Sequence, residues 1–544
     1  MVGIRRVIAI AAAACTVVVG AGPALASDTS ARAPSTTARV LLRWAGCGTT
    51  PTGVAARVQC ATAVLPMDYD RPGGATVHIA VARVPAKDRV HRIGSLFFNF
   101  GGPGGPAVDY VQGAGAGIFA ALNQRFDIVA FDPRGVGQST PAVDCSVNQE
   151  KLGIYSQPVP TPQTIDVNAY VAKVKSYVHA CVTKNGEILG HLSTANVARD
   201  LDALRAAVGD AKLSYLGFSY GTFLGATYAA LFPRNYRALV LDGPVDAQLY
   251  INDPMKDIAE QTAGFEDALN RFLAACKANQ GACLHFGGNN PSKAFDALIA
   301  QAATHPIAAA GYKPDPRPVG ADDIRMATAI LLYSKQSWGA LAQALSEAAQ
   351  GDASFLRTVV DEGFYARNPD GTFDPASDRY FLIGATEQRY PRGLETYLAR
   401  GARSYEEFPH FWWNSGYAEI SYAYWPAHDT DAYAGPFTIP ASSATPLVIA
   451  TTHDPATPYA GAKNLVREQG NSRLLTMAGD GHTAYGGNSA CIDRAANTYL
   501  VSGILPPTGT VCQQQVPFAA PQPVASSTAG ASTAHVGVVN ANLR

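Results

Sequence analysis

The sequence predicts an α/β chain: a mostly parallel sheet flanked by helices, with a mainly helical segment inserted into it. Three observations point to this class. Short apolar runs with strand character, Ser95–Phe100, Phe126–Phe131, Leu213–Leu216 and Pro446–Ala450, recur with helical patterns between them, as crossover helices joining parallel strands require. The turn Gly217-Phe218-Ser219-Tyr220-Gly221 stands between a strand and the helix-like run Thr222–Leu231. Residues 245–439 have a different texture, with helical patterns at Ile258–Asn279, Ser292–Ala303, Asp322–Tyr333 and Ser337–Ala349. Lying between two core strands, they read as an inserted cap.

At the N-terminus, Arg5-Arg6, the apolar run Val7–Val19 and Ala24-Leu25-Ala26 read as a signal peptide over residues 1–26. The apolar run is too short to span a membrane. Residues 27–39 are rich in Ala, Thr and Ser and read as a pro-segment or flexible terminus. The first part of the core is assigned to residues 40–244. In it, the strand ending at Phe100 breaks into Gly101-Gly102-Pro103-Gly104-Gly105-Pro106. This turn has neither the Gly-Lys-Ser/Thr ending of a phosphate-binding loop nor the spacing of a dinucleotide fingerprint. The next strand leads into Asp132-Pro133-Arg134-Gly135-Val136-Gly137, a turn-rich loop suited to packing beside the serine turn. Val197, Leu201, Leu204 and Val208 form the apolar stripe of a helix stopped by Gly209.

Chemistry is expected at the serine turn. Its two glycines remove Cβ atoms where backbones crowd, so Ser219 can occupy a strained tip with Oγ exposed. The helix that follows points free N–H groups and its positive dipole end at the place where an oxyanion would form. A serine needs a base, and the base an orienting acid. Asp454 follows the strand Pro446–Ala450 in Thr451-Thr452-His453-Asp454-Pro455-Ala456-Thr457-Pro458, and His482 lies in the later loop Ala478-Gly479-Asp480-Gly481-His482-Thr483. The order Ser, Asp, His is that of α/β-hydrolases. Among rival histidines, His453 adjoins the acid and would point the other way. His410 and His428 lie in an aromatic region, and His535 in a polar tail. Tyr220 and the Gly101–Gly105 turn are the expected sources of the oxyanion donors.

Taken together, Gly-Gly-Pro-Gly-Gly, Phe-Asp-Pro-Arg-Gly-Val-Gly, Gly-x-Ser-Tyr-Gly-Thr and Asp-Pro-Ala-Thr-Pro resemble the secreted tripeptidyl aminopeptidases and their mycobacterial-type serine protease and carboxylesterase relatives. The resemblance runs from about Trp44 to Cys512. It implies an α/β-hydrolase with Ser219 as nucleophile, Asp454 as acid, His482 as base and Gly102 and Tyr220 as oxyanion donors; triad chemistry needs no cofactor, and the sequence has no Cys or His cluster with the spacing of a metal site. It also implies a C-terminal core segment over residues 440–512. Relatives of this kind carry an extra cysteine pair, at positions that correspond here to Ala385 and Tyr422. They also carry an acidic residue corresponding to Glu387, the expected anchor for a substrate ammonium. Trp412 and Trp413, in the aromatic stretch from Phe408 to Trp425, are expected to line an apolar substrate pocket.

Composition agrees with an exported enzyme. Apart from Cys15 in the leader, eight cysteines remain, an even number that favours disulfides in an exported chain. They fall into four local pairs, Cys47 with Cys60, Cys145 with Cys181, Cys276 with Cys283 and Cys491 with Cys512, although spacing alone leaves the connectivity open. Lys and Arg number 42 against 43 Asp and Glu, for a net charge of −1. With no basic run, nucleic acid and anionic membranes are poor partners. From Gln513 the chain lacks Asp, Glu and Lys, so residues 513–544 read as a disordered tail. The expectation is a secreted, monomeric serine hydrolase of peptide or small acyl substrates that cleaves peptides from the free N-terminus, as a tripeptidyl or other aminopeptidase, through a Ser-His-Asp acyl-enzyme. An esterase using the same triad and a catalytically silent binding protein are the alternatives.

Overall fold

In the computed structural model, which describes residues 40–47 and 57–519, the described residues form one sheet of ten strands. These are β1 (Ala45–Gly46), β2 (Gln59–Pro66), β3 (Thr76–Val84), β4 (Gly94–Asn99), β5 (Phe126–Phe131), β6 (Leu213–Phe218), β7 (Tyr236–Asp242), β8 (Leu447–His453), β9 (Arg473–Asp480) and β10 (Val511–Gln513). Their spatial order is β1-β2-β3-β5-β4-β6-β7-β8-β9-β10. The pairs from β1 to β5 are antiparallel. From β5 onward the sheet is parallel throughout. The four apolar runs read as strands in the sequence are β4, β5, β6 and β8.

Every residue of β4, β5 and β6 is buried, as parallel strands covered on both faces must be. Side chains alternate between two cores: Leu96, Phe98, Ile128 and Ala130 join one, and Phe97, Val129 and Tyr215 the other. Because the strands are parallel, the loops after β4, β6, β8 and β9 leave the sheet at one edge. The glycine turn, the serine turn and the loops of Asp454 and His482 therefore gather there.

Between β7 and β8 the described chain is helical and adds no strand to the sheet. The helices Pro254–Ala278, Ala321–Leu332 and Trp338–Ala349 bury a core of their own around Phe272, Leu331, Trp338 and Leu341. The aromatic stretch divides. Phe411 and Trp413 belong to this helical core, whereas Tyr422 and Trp425 join the cluster beneath. Ala385 and Tyr422 are buried, and Tyr422 stacks on Tyr390 with centroids 3.8 Å apart. Aromatic packing fills the place where the resemblance implies a bridge in relatives. Glu150, Asp315 and Asp361 converge, and Arg317, Arg357 and Arg367 lie among them, so guanidinium groups meet that charge and tie the loop after β5 to the helical segment.

Four disulfides join the four local cysteine pairs. The chain stays tied beyond Cys512, which corrects a tail beginning at Gln513. Gln513 belongs to β10, Gln514 N–H donates to Ala478 O at 3.1 Å, and Gln515 N–H donates to Asn488 O at 2.8 Å. Phe518 packs its ring edge against Phe272 and Trp338. Apolar Phe518 and the parallel β9–β10 register outweigh the polar composition here. The leader over 1–26, the segment 27–39 and the tail from 520 lie outside the described residues. No helix among the described residues is long and apolar enough to cross a membrane.

Candidate active site

Ser219 links β6 to the helix Tyr220–Leu231 with φ 55° and ψ −127°, a conformation that costs a non-glycine residue energy and needs support from its surroundings. Its N–H donates to Asp242 O at 2.9 Å, and its carbonyl accepts from Thr222 N–H at 2.8 Å and Thr222 Oγ1 at 2.5 Å. A Cβ on Gly217 would sit 2.3 Å from Gly221 O, and one on Gly221 2.6 Å from Asn99 O. Only glycine fits at either position.

Asp454 follows β8 and His482 follows β9. His482 Nδ1 lies 2.9 Å from both Asp454 oxygens, and Asp454 Oδ1 also accepts from the N–H groups of Ala456 and Thr457 at 2.9 Å. Thr457 Oγ1 is 3.3 Å from the same ring nitrogen. This arrangement assigns the proton to Nδ1. Nε2 is buried with no hydrogen-bond partner among the described residues, which leaves it as a free proton acceptor. The ring is braced from the helical segment: His482 N–H donates to Tyr333 O at 2.6 Å, and the Tyr333 ring meets it edge-on. Asp480, two residues before it, pairs with Arg271 and, at 2.7 Å, with Lys335. On the far side Asp242 accepts from Ala484 and Tyr485 N–H at 3.0 and 2.8 Å, and burial pushes its carboxyl up to about 7. His453 turns away, as alternation along a strand predicts, and contacts Asp267 at 2.9 Å.

The glycine turn crosses the serine turn at close range: a Cβ on Gly101 would lie 2.7 Å from Phe218 O and 3.0 Å from Tyr220 N. Asn99 Oδ1 accepts from Gly101 N–H at 2.9 Å, and Gly101 O accepts from Gly105 N–H at 3.0 Å. Neither Gly102 N–H nor Tyr220 N–H donates a hydrogen bond among the described residues. Both residues line the same cavity as Ser219.

That cavity has a volume of about 340 Å³, with walls that include Tyr250, Tyr333, Phe411 and Trp413. Its acidic groups include Asp257 and Glu260, one turn apart on the helix Pro254–Ala278. No hydrogen bond or ion pair meets the Asp257 carboxylate among the described residues. Burial, reinforced by Asp246, Glu260 and Asp253, pushes it up to about 8.

Two expected pocket residues are placed elsewhere. Glu387 is 5% exposed and does not line the cavity. Its carboxylate accepts from Thr194 N–H at 2.7 Å, Thr194 Oγ1 at 2.9 Å and Tyr250 OH at 3.0 Å. It therefore serves the positive N-terminus of the helix Thr194–Ala207, and burial pushes it up to about 7. Trp412 points out of the cavity, donating to Pro160 O and stacking with Arg325, while Trp413 lines it. The sequence reading missed Asp257, Tyr333 and Arg379. A signal for the first was available: Asp253-Pro254 starts a helix, and Asp257 and Glu260 fall on one face of its first two turns.

Fold and site define an α/β-hydrolase, and residues 95–284 match the family model described as alpha/beta hydrolase fold. Residues 411–512 match a second family model, described as TAP-like protein. Serine protease Hip1 of Mycobacterium tuberculosis (strain ATCC 25618 / H37Rv) is 34% identical over 466 residues, spanning 83% of this chain and 87% of that protein. Carboxylesterase B of the same strain is 33% identical over 460 residues, spanning 84% and 86%. Tripeptidyl aminopeptidase of Streptomyces lividans is 30% identical over 480 residues, spanning 86% and 85%. The chain belongs to this TAP-like family of α/β-hydrolases, and it is a serine hydrolase.

Proposed function

We propose that the protein is an exported peptidase that releases short peptides from a free N-terminus through an acyl-enzyme on Ser219. The observation that carries the reading is the His482 ring, bound through Nδ1 to both Asp454 oxygens with Nε2 left as acceptor. In the first step Nε2 takes the Ser219 proton as Oγ attacks the scissile carbonyl carbon. The carbonyl electron pair moves to oxygen, where the N–H groups of Gly102 and Tyr220 stabilise it; one such donor contributes roughly 10²–10³ in rate. The C–N bond then breaks, and His482 gives its proton to the departing amine. Water, deprotonated by His482, attacks the acyl-enzyme and restores Ser219. Asp454 keeps the proton on Nδ1 and stabilises the charged ring.

The reading that the substrate has a free amine rests on Asp257 and Glu260, which replace Glu387 in that role. Asp257 faces the cavity without a partner of its own and so gains most from an incoming ammonium, while Glu260, 3.8 Å from Lys256, adds negative charge one turn away. The aromatic walls suit apolar side chains. Export is supported by the leader-like N-terminus and the four disulfides. A fluorophosphonate probe tests the mechanism: it should label the parent at Ser219, and neither Ser219→Ala nor His482→Ala at a comparable rate. The unlabelled parent should hydrolyse peptidyl anilides, and labelling should abolish that turnover. Labelling with ester hydrolysis alone would make the protein a carboxylesterase, and no labelling would refute the acyl-enzyme reading.

A further inference from the structure

Arg379 lies at the start of the helix Ala376–Glu387, far from Ser219 in sequence, and is 4% exposed. Its Nε–H donates to Gly104 O at 2.8 Å. The same peptide group carries the Gly105 N–H, which donates to Gly101 O at 3.0 Å. The Gly101 carbonyl belongs in turn to the peptide group whose N–H is that of Gly102. One cation thus heads a chain of two hydrogen-bonded peptide groups that ends on an N–H at the cavity wall. A hydrogen bond to a carbonyl polarises its own amide and makes the N–H on the other side a stronger donor, and the effect accumulates along a chain in a low-dielectric interior.

The chain is held firmly at its cationic end. Asp378, next to Arg379, is buried and accepts from Tyr177 OH at 2.8 Å, Gln149 Nε2 at 2.9 Å and Cys145 N–H at 3.0 Å. A Cβ on Gly104, which has φ +90°, would lie 2.5 Å from Arg379 Cβ, so glycine is required for the turn to meet the helix. Arg379 Nη2 binds Asp374 at 2.6 Å, which fixes the plane of the guanidinium.

We propose that Arg379 is a positioning residue for the reaction: through the Gly104–Gly105 and Gly101–Gly102 peptide groups it orients and polarises the Gly102 N–H that receives the oxyanion. The proposal rests on the acyl-enzyme reading above. It explains why a helix of the inserted segment touches the glycine turn through a cation, where a neutral donor would satisfy the same carbonyl.

The test is the affinity of the purified full chain for trialanine aldehyde with a free amine, relative to the matching alcohol. In the aldehyde complex Ser219 Oγ adds to the aldehyde carbon, its proton passes to His482 Nε2, and the former carbonyl oxygen becomes the oxyanion. The alcohol occupies the cavity without forming one. Arg379→Gln keeps a neutral donor and should lose roughly tenfold of the aldehyde-over-alcohol preference and of kcat, with KM little changed. Arg379→Lys keeps the charge and should recover part of that loss, an order that depends on charge and not on packing. Parent-like preference in both variants, or equal loss for aldehyde and alcohol, would overturn the proposal. Should Arg379→Gln fail to fold, Arg379→Met, which keeps the length of the stem without charge or donor, decides: a loss confined to the aldehyde supports the relay, and an unchanged preference refutes it. A parent that binds aldehyde and alcohol alike would instead refute the acyl-enzyme reading itself.

Discussion

The two halves of the site are built differently. The proposed nucleophile is held by the sheet: Ser219 is fixed by Asp242 O, Thr222 and the glycines of its own turn. The proposed base, His482, and the glycine turn lean on the inserted helices instead. His482 N–H rests on Tyr333 O, Asp480 on Arg271 and Lys335, and Gly104 O on Arg379. The difference teaches that the segment between β7 and β8 belongs to the framework of the proposed catalytic site. Disturbing it should damage proton transfer and oxyanion binding while the serine turn stays formed.

Variants that break this comparison rank by expected effect. Ser219→Ala should lower peptide turnover by roughly 10⁴-fold or more with the fold intact, measured as initial rate at matched thermal stability. Asp480→Asn leaves Arg271 and Lys335 without their shared anion. It should lower kcat roughly tenfold and slow fluorophosphonate labelling in proportion, whereas Asp68→Asn, in an exposed pair with Arg71, should leave both unchanged. Equal rates in the two variants would remove the inserted segment from the framework.

Asp257→Asn should reduce the preference for a free-amine over an acetylated substrate roughly fivefold. Because Asp257 ionises only as the pH approaches about 8, that preference should climb between pH 6 and 8 in the parent and stay level in the variant. Taking the ratio of the two substrates cancels the titration of His482.

The smallest effect sharpens the contrast through stability. Glu419 is 3% exposed, neither carboxylate oxygen has a hydrogen-bond partner among the described residues, and Arg400 stands 3.6 Å away. Burial pushes it from 4.5 up to about 8. Between those values the folded chain holds a proton that the unfolded chain releases, so stability should fall as pH rises through that window. Asp242, Asp257 and Glu387 contribute in the same direction, so Glu419→Gln should make this slope shallower without abolishing it and make the protein more stable than the parent at pH 9, by roughly 1–4 kcal/mol in denaturant unfolding.

The contrast also explains what was legible in the sequence. Ser219, Asp454 and His482 stand at strand ends, where short apolar runs and local glycines mark the backbone, and four strands could be read the same way, whereas the cysteines showed only a local grouping whose connectivity spacing left open. Glu387 and Trp412 were misplaced because their surroundings come from distant segments: Thr194 and Tyr250 for one, Arg325 and Pro160 for the other. Arg379 carries no local pattern at all, since its partner Gly104 is 275 residues away. Periodicity finds elements, and long-range hydrogen bonds decide which side chains reach the cavity. The tail was misjudged for a related reason, because pairing of β10 with β9 is invisible in a polar composition.

The central claim is tested most directly by the rate at which the purified protein releases the chromophore from a tripeptidyl anilide with a free amine and from its N-acetyl twin, with Ser219→Ala as control. Serine-dependent release that acetylation lowers at least tenfold is the expected result. Equal rates on the two substrates would contradict an ammonium anchor at Asp257 and Glu260. Release that survives Ser219→Ala would contradict the acyl-enzyme account altogether.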